Sequence, residues 1–331
     1  MSATTERSQG AGRPGGRVGT IRLWIDLLHG VRNERWGEPA GYVFILPGLA
    51  LFLLFGIYPV YRGFVLAFTD MQFLVPGYQP FVGINNFIEM FSQDTYFWPA
   101  FGRTLIFTGI YLPVSLGGAL FSATIIASVK NNSVAGFFRA IVYLPVILPI
   151  AVAMLMWQNL LSNQYGMVNY VLRNVLGLRF LATDWLNNAT WALPSVAIAR
   201  VWTDSGFATL LLLIGMYTIS SEIYEAAALD GASGWQIWRH ITLPMLKPVL
   251  TIVFVLNSQL ISAAQEFMLM YGVGNMGPQQ VGLTLGYYAY LVAFRWGNLQ
   301  MGYAAAIWLF LGLIGMAITA VVFRLMRTER N

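Results

Sequence analysis

The sequence predicts an all-α membrane protein with six transmembrane helices and both termini in the cytoplasm. Three observations carry that reading. Of 331 residues, 57% are hydrophobic and 10% are charged, whereas a soluble domain carries about 25% charged residues. The apolar residues gather in runs of about twenty, long enough to cross a hydrocarbon core at ~1.5 Å per residue. Arg and Lys concentrate in alternate connections, and the connections rich in them stay inside.

Taken in order, residues 1–18 are rich in Gly, Ser, Thr and Arg, a composition too poor in apolar residues to build a packed core. No apolar stretch follows the early arginines closely, so a cleaved signal peptide is not expected. Residues 20–36 read as an amphipathic helix, with Ile21, Trp24, Leu27, Leu28 and Val31 at helical spacing and Arg22, Asp26 and Arg32 on other faces. Such a helix lies along the inner membrane surface or packs on the cytoplasmic side of the protein. Residues 1–39 therefore form a cytoplasmic N-terminal segment ahead of a six-span domain, 40–331.

The six apolar runs lie near Gly41–Tyr61, Thr104–Ala127, Ala140–Leu161, Trp191–Tyr217, Val249–Phe267 and Tyr303–Phe323. Prolines 47, 59, 113, 145 and 149 fall inside them, and membrane helices tolerate proline where neighbouring groups satisfy the freed carbonyls. Six Arg precede the first run, Lys130 and Arg139 follow the second, Arg239 and Lys247 follow the fourth, and Arg324, Arg327 and Arg330 close the chain. Residues 70–100 hold no Lys or Arg, and the other outward connections hold only Arg173, Arg179 and Arg295. The net charge of +5 is thus a topology signal rather than a nucleic-acid one. Both long outward connections, 70–100 and 162–190, have room for short surface helices.

Several chemistries are excluded. Cysteine is absent, which removes disulfides and thiolate sites. The two lysines, Lys130 and Lys247, do not follow a glycine, so the chain has no Walker A phosphate loop. His29 and His240 are isolated, so no metal site and no catalytic residue are expected, and no cofactor of its own.

Charges at membrane depth are functional hypotheses by default. Arg200 and Asp204 are four residues apart in the fourth run and can pair on one helix face, as a structural ion pair or as substrate contacts. In the fifth run Gln259, Ser262 and Glu266 fall at i, i+3 and i+7, with Ser258 and Gln265 beside them. That polar stripe lines a water-filled path or bonds to a neighbouring helix. Tyr287, Tyr288, Tyr290 and Trp296 suit either sugar stacking or an interfacial aromatic belt.

The densest signal lies between the fourth and fifth runs. Glu225-Ala226-Ala227, Gly231 and Ile241-x-Leu243-Pro244 meet all seven positions of the pattern E-A-A-x3-G-x9-I-x-L-P. Ser220 and Ser221 can cap a helix beginning near Glu222. Gly231 can end that helix in the left-handed conformation, and a second helical piece is expected over Trp235–His240. The result is a short helix–turn–helix on the cytoplasmic face, loop 221–244, with Asp230 just ahead of its glycine.

That pattern resembles the ATPase-coupling loop of the permease subunits of binding-protein-dependent ABC importers. From about residue 40 onward the chain is similar to the carbohydrate-uptake branch, the maltose and glycerol-phosphate permease type. The resemblance extends over Ile223–Ser233, Phe81–Phe87, Trp157 with Gly166 and Asn169, and Gly302-Tyr303-Ala304-Ala305-Ala306. Met276-Gly277-Pro278 keeps only part of the family's Thr-x-Gly-Gly-Pro stretch, a departure that bears on the outer gate. The resemblance implies a type I importer permease fold and half of a translocation pathway for a sugar, oligosaccharide or polyol derivative in a bacterial plasma membrane. It implies a second homologous permease subunit, two ATP-binding subunits that hold the ATP, and an extracytoplasmic solute-binding protein. The alternatives are the same kind of subunit for a polyamine, phosphate or peptide, and a stand-alone carrier. A carrier should show internal symmetry within one chain, and no repeat is evident.

Overall fold

The computed structural model describes residues 39–75, 77–258 and 263–326. The expected amphipathic helix over 20–36 lies outside them, as do Gln259 and Ser262. Among the described residues the fold is helical, with two isolated β-bridges, Thr69 to Phe81 and Gln72 to Gln300. The chain divides into two units, Met1–Val60 and Tyr61–Asn331.

In the first unit, helix α1, Pro39–Phe52, passes through a π-helical turn, Leu53–Ile57. Phe44, Leu54 and Phe55 are exposed, as a helix that is apolar all round requires if lipid is its solvent. The apolar helical stretch runs from Phe44 to Leu66, closing with α2, Tyr58–Leu66.

The second unit is built around two long helices, α4, Phe97–Ser128, and α8, Ala192–Tyr217, which pack along one another. Small residues allow the approach. Ala119 and Ala123 of α4 and Ala208 of α8 are all buried, the pattern expected where helices in lipid pack by close backbone contact. Helix α5, Asn132–Ile147, packs on α8. A β-carbon at Gly206 would collide with the Val142 carbonyl oxygen of α5, so only glycine fits that crossing.

The third apolar run departs from the expected straight span. Helix α5 and helix α6, Ile150–Leu160, meet at a 100° bend. The cause is Pro149, which pushes its predecessor out of the helical region; Leu148 has φ −71° and ψ 133°. The fifth run is divided between α12, Lys247–Asn257, and α13, Ala263–Tyr271. Among the described residues four helices are each long and apolar enough to cross a membrane, or up to six if the bent pairs Asn132–Ile147 with Ile150–Leu160 and Gly234–Met245 with Lys247–Asn257 are each counted as one span.

The outward connections carry short helices, among them α3, Asn85–Ser92, and α7, Met167–Tyr170. Asp94 fixes the start of α4, accepting from the backbone N–H of Tyr96 at 2.7 Å and of Phe97 at 3.2 Å. Its other oxygen accepts from Tyr288 at 2.6 Å and from Tyr303. These tyrosines belong to α14, Leu285–Phe294, and α15, Met301–Met326. The Tyr287 and Tyr288 rings are buried in the main apolar core, so neither the sugar-stacking nor the belt expectation holds for them. Trp296 packs against Tyr96 and Tyr288, and Tyr290 against Phe294.

Candidate functional site

Two constellations concentrate polar chemistry. The first is the motif loop. Ser220 accepts from the Glu222 N–H at 3.3 Å and starts helix α9, Ser221–Leu229. Gly231 takes φ 78°, and the helix closes with Gly231 N–H to Ala228 at 3.1 Å and Ala232 N–H to Ala227 at 3.0 Å. This is the paired Schellman closure, in which a left-handed residue satisfies the last carbonyls. Ser233 and Gln236 then form a capping box that starts α10, Gly234–Ile237. A π-helical turn, Trp238–Thr242, leads into α11, Leu243–Met245. The second arm is thus longer than the Trp235–His240 piece expected from sequence.

Glu225, Ala226, Asp230, Gly231 and Pro244 are exposed, and Ala227, Ile241 and Leu243 are half-buried. Leu229 is 90% exposed. An acid at a helix C-terminus opposes the macrodipole, so helix stability does not account for Asp230. A cleft of about 330 Å³ separates the two arms, lined by Asp230, Gln236, His240 and Ile241.

The loop is tied to the bundle at several points. Tyr224 and Thr242 bond across its arms at 3.2 Å, and the Trp238 indole donates to Thr124 of α4 at 3.2 Å. Trp235 stacks on Trp238 with centroids 5.0 Å apart. A β-carbon at Gly215 of α8 would meet Val249 at 2.9 Å and Leu246 at 3.0 Å, so the return into α12 lies against the end of α8.

The second constellation lies inside the bundle. Arg200 Nε sits 2.6 Å from Asp204 Oδ2, and its Nη1 lies 2.8 Å from Glu266 Oε1. Asp204 also accepts from the Tyr111 hydroxyl at 2.5 Å. Tyr111 reaches Asn257 at 3.4 Å, and Asn257 donates to Ser115 at 3.4 Å. One network therefore joins α4, α8, α12 and α13.

Glu266 is 0% exposed, while the Arg200 and Asp204 side chains are 18% and 22% exposed. Glu266 meets Arg200 as an ion pair by distance, but neither of its oxygens accepts an aligned hydrogen bond among the described residues. Ser258 turns away, donating to the Val255 carbonyl at 2.9 Å. Gln259 and Ser262 lie outside the described residues, and Gln265 is placed by its backbone in α13.

Sequence reasoning paired Arg200 with Asp204 and named Glu266 separately, without bringing the three together. It missed Tyr111, Ser115 and Asn257, whose only signal was a polar atom within an apolar run. It also left Trp238, Thr124 and the exposed Leu229 unmarked. Among the described residues no cluster of His, Asp and Glu forms a metal site.

A family model described as the binding-protein-dependent transport system inner membrane component matches residues 115–328. A probable ABC transporter permease protein of Bacillus subtilis, YesP, is 35% identical over 310 residues, covering 90% of this chain and 94% of that protein. The trehalose/maltose transport system permease protein MalF of Thermococcus litoralis is 31% identical over 293 residues, covering 88% and 95% respectively. Among solved structures, a bacterial ABC transporter involved in import of the acidic polysaccharide alginate aligns with TM-score 0.75 at 24% identity. That match covers 94% of this chain and 100% of the other.

Proposed function

The chain belongs to the binding-protein-dependent transport system inner membrane components, and from that premise we propose that it forms half of the membrane pathway of an ATP-driven carbohydrate importer. Support for a carbohydrate cargo comes from relatives named for trehalose/maltose, sulfoquinovosyl glycerol and lactose transport. The alginate transporter has also been crystallised with an oligosaccharide-bound periplasmic protein. In this reading a second permease subunit completes the pathway, two ATP-binding subunits hold the nucleotide, and an external solute-binding protein delivers the cargo. Six spans cross the membrane with both termini inside. The bent α5–α6 pair supplies the third and α12–α13 the fifth.

The observation that carries the coupling role is the doubly capped motif loop, with Glu225, Leu229 and Asp230 exposed while Trp238 and Tyr224 hold it in place. Seated in a groove of an ATPase subunit, a rigid helix of this kind passes displacement to α8 and α12, which flank it, and to α4 through Trp238. A ligand shifts such an equilibrium only through different contacts in its two states, and ATP-driven closure of the partner subunits supplies that difference. The Arg200–Asp204–Glu266 network spans the helices that would then move. In the reconstituted complex, Glu225→Lys should abolish ATPase association and transport while membrane insertion persists. Full association and transport by that variant would remove the loop from the coupling role.

A further inference from the structure

A polar pocket of about 440 Å³ lies at the end of the bundle opposite the motif loop. Its walls come from the end of α6, the segment before α8 and the segment after α13. Helix α8 has 26 residues and so separates this pocket from the motif loop by about 39 Å. The volume falls within the roughly 300–1,000 Å³ range of small-molecule sites.

The lining chemistry is selective. Six carboxamides face it, Gln158, Asn159, Asn163, Gln164, Asn187 and Asn275. A carboxamide both donates and accepts, which matches a hydroxyl group that does the same. Much of that capacity is free. The Gln158 and Gln164 side chains bond to no described residue, Asn159 commits only its amide nitrogen, to Leu155, and Asn275 only its oxygen, to the Gly277 N–H.

Tyr165, 73% exposed, and Tyr271 add aromatic rings to the wall. The Tyr271 hydroxyl donates to the Leu186 carbonyl at 2.6 Å, which fixes that ring. Asp184 is the one charged residue of the lining. Arg173 reaches Asn163 at 3.3 Å but does not line the pocket.

The walls are also held before any ligand arrives. Asn169, buried beneath them, donates to the Thr183 carbonyl at 2.8 Å and accepts from the Trp185 indole at 2.9 Å. It thereby locks the segment after α6 to the segment before α8, and a wall already in place loses little freedom on binding.

We propose that this pocket is a subsite for a neutral saccharide at the outer mouth, reading one or two sugar units before they enter the bundle. The proposal rests on the carbohydrate-importer reading above and adds that the cargo is uncharged, since Asp184 would repel an acidic sugar.

The test uses the full chain in nanodiscs without its binding protein, probed by saturation-transfer NMR and titration with maltose, maltotriose, lactose and trigalacturonate. A neutral saccharide should bind saturably, and Q158A/Q164A should weaken it about tenfold, the loss of roughly two hydrogen bonds. Unchanged thermal melting checks the fold. A second variant, Q164R, should admit trigalacturonate.

Absence of binding by every neutral probe, or binding unchanged in both variants, overturns the subsite. A companion pull-down adds the binding protein to the assembled importer. If Q158A/Q164A loses binding-protein association there while its sugar binding in nanodiscs is intact, the pocket is a protein-docking surface and the subsite is overturned. If the assembled importer still takes up carbohydrate in those cases, only the subsite fails. If it takes up no carbohydrate, the importer reading fails as well.

Discussion

Arg200 balances two carboxylates, Asp204 at 2.6 Å and Glu266 at 2.8 Å, and nothing else cationic joins them in the described network. Removing one partner of a buried ion pair strands the other, at a cost of about 3–5 kcal/mol. Arg200→Met should therefore lower the melting temperature markedly in detergent, and R200M/E266Q should recover part of the loss. Equal melting of wild type and R200M would mean that the network contributes no stability. Gly231 is a conformational case. Nothing lies within 4 Å of a β-carbon placed there, yet its φ is 78°. Gly231→Val should cost about 1–3 kcal/mol through backbone strain alone and weaken ATPase association with little change in membrane insertion. The spacing of Arg200 and Asp204 was legible because both sit on one helix. Glu266 and Tyr111 come from other helices, and a periodicity argument carries no information about which helices meet.

At the scale of elements, Asp94 accepts from two backbone N–H groups and two tyrosines, joining the start of α4 to α14 and α15. Asp94→Asn weakens charge-assisted bonds worth about 1.5–3 kcal/mol each, so proteolysis of the 70–100 connection should speed up. An unchanged cleavage rate would show that this junction holds without the carboxylate. Burial, then the charges of Asp94 and Asp70, raises the Glu89 carboxyl above its ordinary value of 4.5. The folded state thus favours the protonated form. That stability is full below about 4.5 and is lost as pH rises through the raised value, so Glu89→Gln should flatten the acid side of the melting profile. The caps were readable, since Ser220 and Gly231 occupy the expected places around α9. The bend between α5 and α6 was not, because a proline in a membrane run can be absorbed or can break it, and Pro113 and Pro149 look alike in sequence. Pro113 lies inside the continuous helix α4, while Pro149 stands at a 100° turn.

At the scale of the whole molecule, a chain with no phosphate loop carries an exposed, doubly capped loop flanked by two of the helices that meet in a buried charge network. In the proposed importer, that combination would serve as a lever and part of a pathway wall, driven by an energy source on another subunit. The most direct measurement is uptake of radiolabelled maltose or maltotriose into proteoliposomes. These would hold this chain with its permease partner, with or without the ATPase subunits, and with the binding protein and ATP supplied. Uptake that needs ATP and every subunit, and that disappears with Glu225→Lys, is the predicted result. Accumulation by this chain alone, driven by an ion gradient without an ATPase, would contradict it.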